Sequence, residues 1–192
     1  MANKGYKIEA QLAEEISSSG VAKFRKLDGS TVEFPVSDRI MTGGKTTRNK
    51  WDILVNPAVR LQVKSTKSNR AAVVNMVPVR NLFKMSDREK IDIQSCLDLM
   101  ELMAETGKAV KLAEFGDIED YRDMLIYLLF EGTPTAQEIP ALQANYLLEV
   151  SEEGNLLIEK NEAIDYIWNS LTAEIRYRKG KTEPCLHIRY GK

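Results

Sequence analysis

Two stretches of the sequence carry residue types that do chemistry. The first is Gly43-Gly44-Lys45-Thr46-Thr47, a glycine pair running into Lys and Thr, which is how the phosphate-cradling loop of a nucleotide site ends. The second starts at Asp52 and is completed by Gln62-Val63-Lys64. The nucleotide reading fails on two counts. The first glycine of the pattern G-x-x-x-x-G-K-[ST] would fall where the chain has Arg39, so the curl that turns successive N–H groups inward is not encoded. Such a loop must also open a helix whose N-terminus faces the phosphates, whereas here "TTRNK" leads into "WDILV", a run of β formers. What remains is a glycine-rich basic approach to Asp52.

In a strand, Gln62 and Lys64 project on one face while Leu61 and Val63 project on the other, towards a core. An amide oxygen and an ammonium then sit side by side on a sheet surface. Directly opposed residues of an antiparallel pair share a face, so a loop of three residues would set Asp52 opposite Gln62 or Lys64, and a loop of two or four would turn them apart. Upstream, Glu9, Leu12, Ala13 and Ile16 fall on one helical face of "KIEAQLAEEISSSG", so a carboxylate heads an apolar stripe that Ser17 to Gly20 terminate.

The elements that must position these groups follow from pattern. "VAKFRKLDGSTVEFPV" reads as strand, turn at Asp28-Gly29, strand; "WDILV" and "RLQVKS" are strands separated by Asn56-Pro57-Ala58-Val59. "AAVVNMVPV" reads as a third strand of that set. From Asp87 to about Glu105, Ile93, Leu97, Met100 and Ala104 recur at helical spacing, with Gly107 as the stop. "KAVKLAEF" reads as a strand, "GDIEDYRDMLIYLLFEG" as a helix with an acidic first turn, and "NYLLEVSEEGNLLIEK" as a hairpin turning near Glu153-Gly154. A short helix over "NEAIDYIWNSL" and two alternating strands around Gly180 close the chain. This order predicts an α/β or α+β architecture with a central mixed β-sheet flanked by helices and a C-terminal β-hairpin elaboration.

Length and composition bound the rest. The 192 residues, 43% apolar and 29% charged, are enough for one globular domain with a real core. No apolar run approaches the length of a membrane helix and "MANKGYKIEAQLAEE" lacks the apolar core of a secretory signal, so the expectation is a cytoplasmic protein with no membrane partner. Cys96 and Cys185 form no C-x-x-C pair and His187 is the only histidine, which argues against a zinc site and for two reduced thiols. Net charge is −1 but unevenly spread: residues 1–84 are net +8, 85–171 net −13 and 172–192 net +4. Basic ends around an acidic middle suit a polyanion-binding protein, and suit equally a charge distribution over solvated faces.

"KGYKIE" opening a helix, a "GG" loop leading to "WDILV", then "LQVKST", resembles the PD-(D/E)xK nuclease superfamily, which includes type II restriction endonucleases, Mrr-like enzymes and archaeal Holliday junction resolvases. The resemblance covers about residues 4–80, leaving about 85–192 as helical and hairpin elaboration of a single domain spanning 1–192. It implies a restriction endonuclease-like fold and catalytic positions at Glu9, Asp52, Gln62 and Lys64. The chain departs from the commonest motif at Gln62, where Asp or Glu is usual; glutamine keeps an oxygen donor but removes a charge. The implied cofactor is Mg²⁺, with Mn²⁺ as a substitute, held by Asp52, the Gln62 oxygen, the Val63 carbonyl and Glu9. Lys64 would orient the attacking water and stabilise the transition state. Lys45, Arg48 and Lys50 would then form a phosphate-contacting rim, joined by Lys67 and Arg70, with Arg176, Arg178 and Arg189 of the C-terminal hairpin as a basic ribbon or a solvated, charge-protected edge. The implied function is a Mg²⁺-dependent endonuclease acting on double-stranded DNA, most simply as a homodimer. Branched DNA is the alternative substrate, and a non-catalytic DNA-binding protein on the same fold is the alternative of another class.

Overall fold

The computed structural model describes residues 4–37, 40–42, 49–67, 70–132 and 140–191. In chain order the elements are α1 (Lys4–Ser19), β1 (Val21–Arg25), β2 (Thr31–Pro35), β3 (Met41–Thr42), β4 (Ile53–Asn56), β5 (Val59–Ser65) and β6 (Ala72–Pro78). There follow α2 (Val79–Glu89), α3 (Gln94–Thr106), β7 (Val110–Lys111), α4 (Leu112–Phe115) and α5 (Glu119–Ile126), the last continued by a π-helical turn at Tyr127–Glu131. The chain ends with β8 (Tyr146–Ser151), β9 (Gly154–Glu159), α6 (Lys160–Ile167), β10 (Thr172–Tyr177) and β11 (Pro184–Tyr190). Among the described residues no helix is long and apolar enough to cross a membrane.

The architecture is mixed α/β with two sheets, each in its own compact unit. Residues 1–68 and 129–163 make the first unit, 69–128 and 164–192 the second. The first holds a seven-stranded mixed sheet in the order β2-β1-β9-β8-β5-β4-β3. β1 and β2 pair antiparallel through a turn in which the Asp28 carboxylate accepts the Ser30 N–H at 2.9 Å and Gly29 takes a positive φ of 81°. Alternation along β1 buries Ala22 and Phe24 against Leu12 and Ile16 of α1, and Ile53, Val55, Val59 and Leu61 extend the same core across β4 and β5. β5 runs parallel to β8, and the β8–β9 hairpin turns at Gly154, as its sequence predicts.

The second unit holds a four-stranded sheet in the order β6-β11-β10-β7. Here several sequence expectations are corrected. β6 does not join the set formed by β4 and β5; it pairs antiparallel with β11, over a hundred residues on. "KAVKLAEF" contributes only the two-residue β7 before turning into α4. The expected helix from Asp87 is interrupted at Lys90, which takes the left-handed conformation with φ 58°, so that α2 ends at Glu89 and α3 begins at Gln94. The buried face of α3 is Cys96, Leu99, Met100 and Met103 rather than the stripe through Leu97 and Ala104; both ladders are helical in spacing, and only the packing of the unit selects between them. Within the C-terminal hairpin β11 pairs along its length with β6, whereas β10 pairs with β7 only at Thr172 and Ala173.

Candidate active site

The register of the β4–β5 hairpin decides whether the motif residues meet. Asn56 pairs with Val59, so the loop between the strands has only two residues, Pro57 and Ala58. A plain two-residue loop would have turned Asp52 away from Gln62. The register shifts, however, between Leu54 and Asn56, and the continuing pairs are Leu54 with Arg60 and Ile53 with Leu61. Val55 is the extra residue, a β-bulge that restores the phase a three-residue loop would have set. The Asp52 N–H donates to the Leu61 carbonyl at 2.7 Å, one step beyond the last strand pair. Asn145 fastens the hairpin from outside: its side chain accepts the Arg60 N–H at 2.8 Å and donates to the Ala58 carbonyl at 2.7 Å, while its own N–H donates to the Arg60 carbonyl at 3.0 Å.

Asp52 therefore projects onto β5. One of its oxygens accepts the Val63 N–H at 2.8 Å and a short hydrogen bond from the Gln62 side-chain amide. Gln62 is buried, one of two polar residues so classed among the described residues. Its amide nitrogen is turned to Asp52, leaving its carbonyl oxygen as the free donor. Backbone direction alternates along a strand, so the Val63 carbonyl points to the same edge as the Val63 N–H, past the end of the β4 ladder.

Glu9 of α1 and Lys64 of β5, both partly buried, complete an electrostatically coupled group. Burial, helped by the Asp52 carboxylate and opposed by Lys64, holds the Glu9 carboxyl up at about 7. Burial also raises the Asp52 carboxyl, against Lys64, the Val63 N–H and Lys50. The Lys64 ammonium is pushed below the usual lysine range by burial, against Asp52 and Glu9. Lys50 belongs to the same group: burial and then the Lys64 ammonium bring it down to about 8, while Asp52 pulls the other way. Asp52 and Gln62 are thus joined by hydrogen bonds, and Glu9, Lys64 and Lys50 are electrostatically coupled to Asp52.

Among the described residues no three Asp, Glu, His or Cys side chains are placed together to hold a metal ion. With glutamine at 62, the cluster has two carboxylates, from Glu9 and Asp52. The remaining donors, the Gln62 amide oxygen and the Val63 carbonyl, are hard oxygens of the kind Mg²⁺ takes, and two carboxylates with water are a common Mg²⁺ complement. The donor chemistry fits the ion.

The other expected DNA contacts are dispersed. Lys45 and Arg48 lie outside the described residues, as does the rest of the GGKTT loop. Lys67 is exposed just past β5, and Arg70, also exposed, belongs to the second unit. In that unit Glu174 gathers three side chains of the hairpin: one carboxylate oxygen lies 2.9 Å from Arg176 Nε, 3.0 Å from His187 Nδ1 and 3.2 Å from Arg189 Nη2. These partners hold the Glu174 carboxyl below its usual range against its burial. Arg178 donates to the Met76 carbonyl at 3.1 Å. Two of the arginines are thus paired to one acid of β10, Arg176 on the same strand and Arg189 from the neighbouring β11. Asn145 and Gly132 were not singled out by the sequence; an asparagine before a strand and a glycine after a helical run carry no local mark of what they contact. Set against family models, curated proteins and solved structures, the chain gives no match in any of the three.

Proposed function

We propose that the protein is a Mg²⁺-dependent endodeoxyribonuclease of PD-(D/E)xK type in its Q-x-K form, built on a restriction endonuclease-like variant of the mixed sheet. The observation that carries this reading is the Asp52–Gln62–Val63 hydrogen-bonded group with Lys64 and Glu9 electrostatically coupled to it at the end of the β4 ladder. Asp52, the Gln62 oxygen, the Val63 carbonyl and Glu9 would hold the ion, which supplies Lewis-acid activation of water and charge neutralisation at the phosphate. Lys64 orients the attacking water and meets the charge that develops on the phosphoryl oxygens. Glu9 either ligates the ion through water or acts as the proton acceptor. Asp52 engages the Gln62 amide nitrogen, which leaves the amide oxygen as the donor for the ion.

Within this reading the substrate is duplex DNA cut by a homodimer, as in a type II restriction enzyme, with branched DNA as the near alternative. A second reading, a DNA-binding protein that does not cut, rests on glutamine at 62, which removes a charge from the motif. Purified protein incubated with plasmid, linear duplex and four-way junctions in Mg²⁺ or Mn²⁺ separates the three. Cutting at one short sequence supports a restriction enzyme, and cutting of junctions alone supports a resolvase. Salt-dependent binding without cleavage under any condition sinks the enzyme reading.

A further inference from the structure

Lys50 sits two residues before Asp52, and its place in the first unit is built rather than incidental. Its N–H donates to the Leu142 carbonyl at 2.7 Å, and the neighbouring Trp51 indole donates to the Ala141 carbonyl at 3.0 Å. The turn Pro140–Leu142 thus pins the chain as it enters β4. The Lys50 side chain then runs over Gly132. A Cβ at that glycine would stand 2.5 Å from Lys50 Cδ and 2.9 Å from both Cε and Nζ, and Gly132 also takes a positive φ of 56°. A side chain at 132 would push the end of Lys50 off this path, and the left-handed backbone by itself favours glycine. Among the described residues no ion pair holds the ammonium. Lys50 stands two residues before Asp52, and its ammonium interacts electrostatically with Asp52 and Lys64.

The charge balance gives that placement a use. With glutamine at 62 the cluster comprises the carboxylates of Glu9 and Asp52 and the ammoniums of Lys50 and Lys64, so an anionic diester approaches a centre that does not repel it. We propose that Lys50 is a second substrate-contacting cation of this centre, its ammonium holding a non-bridging oxygen of the phosphodiester on which Lys64 and Asp52 act, and that Gly132 is the positioning residue that leaves room for it. The inference rests on the phosphodiesterase reading given above.

The test uses single-turnover cleavage of supercoiled plasmid in Mg²⁺, anisotropy of a labelled duplex in EDTA, and melting temperature. K50M keeps the aliphatic stalk and removes the charge, and K50R keeps the charge. K50M is expected to cut about 100-fold more slowly, with duplex affinity within about threefold of wild type and melting unchanged, and K50R to recover part of the rate. G132A is expected to slow cleavage to a similar degree, and to slow it far less in a K50A background, where the collision is gone and only the backbone strain of a left-handed alanine remains. K50M cutting as fast as wild type overturns the inference. So does G132A slowing cleavage equally with and without K50A, which would mark Gly132 as a purely structural position. A wild-type protein that leaves every plasmid uncut sinks the phosphodiesterase reading itself, whereas a cutting wild type beside an equally fast K50M overturns this inference alone.

Discussion

Asp52 lies opposite Gln62 because Val55 is an extra residue in β4, and the carboxylate then accepts the Gln62 amide and the Val63 N–H together. The glutamine is a donor to Asp52 in a way that a glutamate could not be. Gln62→Glu should therefore lower the melting temperature in EDTA, by the equivalent of about 1–3 kcal/mol for a lost buried hydrogen bond and a facing like charge. In Mg²⁺ the same variant should show a larger upward shift than wild type. A shift no larger than wild type would mean that position 62 does not face the cation.

Metal binding can be read without any nuclease assay. A ligand that binds only the folded chain raises stability by mass action. The wild-type melting temperature should rise with Mg²⁺ or Mn²⁺ concentration, and Asp52→Asn should abolish most of the rise. An equal response in D52N would place the ion elsewhere.

Folding raises the Glu9 carboxyl from 4.5 to about 7. Between those pH values the folded chain retains a proton that the unfolded chain has released, so this group's contribution to stability falls as pH rises through the window. In metal-free buffer Glu9→Gln should flatten the loss of stability between about pH 5 and pH 7 and should melt above wild type at neutral pH. Thermal melts across that range check it, and parallel curves for the two proteins would refute it.

Lys64→Ala should reduce plasmid cleavage by at least about 100-fold while leaving duplex binding largely intact, since its charge is needed at the reacting phosphate and not for the whole footprint. Loss of binding in step with cleavage would make Lys64 a general phosphate contact instead.

Asn145→Ala removes both side-chain hydrogen bonds that fasten the β4–β5 hairpin. The expected loss is about 2 kcal/mol, measured by urea denaturation, accompanied by slower cleavage because the Asp52–Gln62 register is less firmly held. An unchanged midpoint would show that the bulged hairpin keeps its register unaided.

Much of the candidate site was legible from local pattern. Asp52, Gln62 and Lys64 sit on predicted strands, Glu9 on a predicted helix, and the need for one particular register was itself readable. The bulge was not, because Val55 differs in no way from an ordinary strand valine. Nor was the division into two sheets: β6 is as rich in β formers as β5, and its partner β11 lies more than a hundred residues away. Alternation says which way a side chain points but not which strand lies beside it. For the same reason Arg176 and Arg189 read as a basic ribbon until their pairing to Glu174 was seen.

The parallel pairing of β5 with β8 has a consequence for the growing chain. In the sheet order β2-β1-β9-β8-β5-β4-β3, the ladder from the β1–β2 hairpin to β5 and β4 runs through the β8–β9 hairpin. A polypeptide halted at residue 80 would carry every motif residue and still lack the middle of the sheet, the turn that pins Lys50 and the asparagine that fastens the hairpin. Such non-local pairing forms late. The sheet around Asp52 and Lys64 can thus close only once the chain has been made through β9 at Glu159, and on the nuclease reading a product terminated before it should be inert.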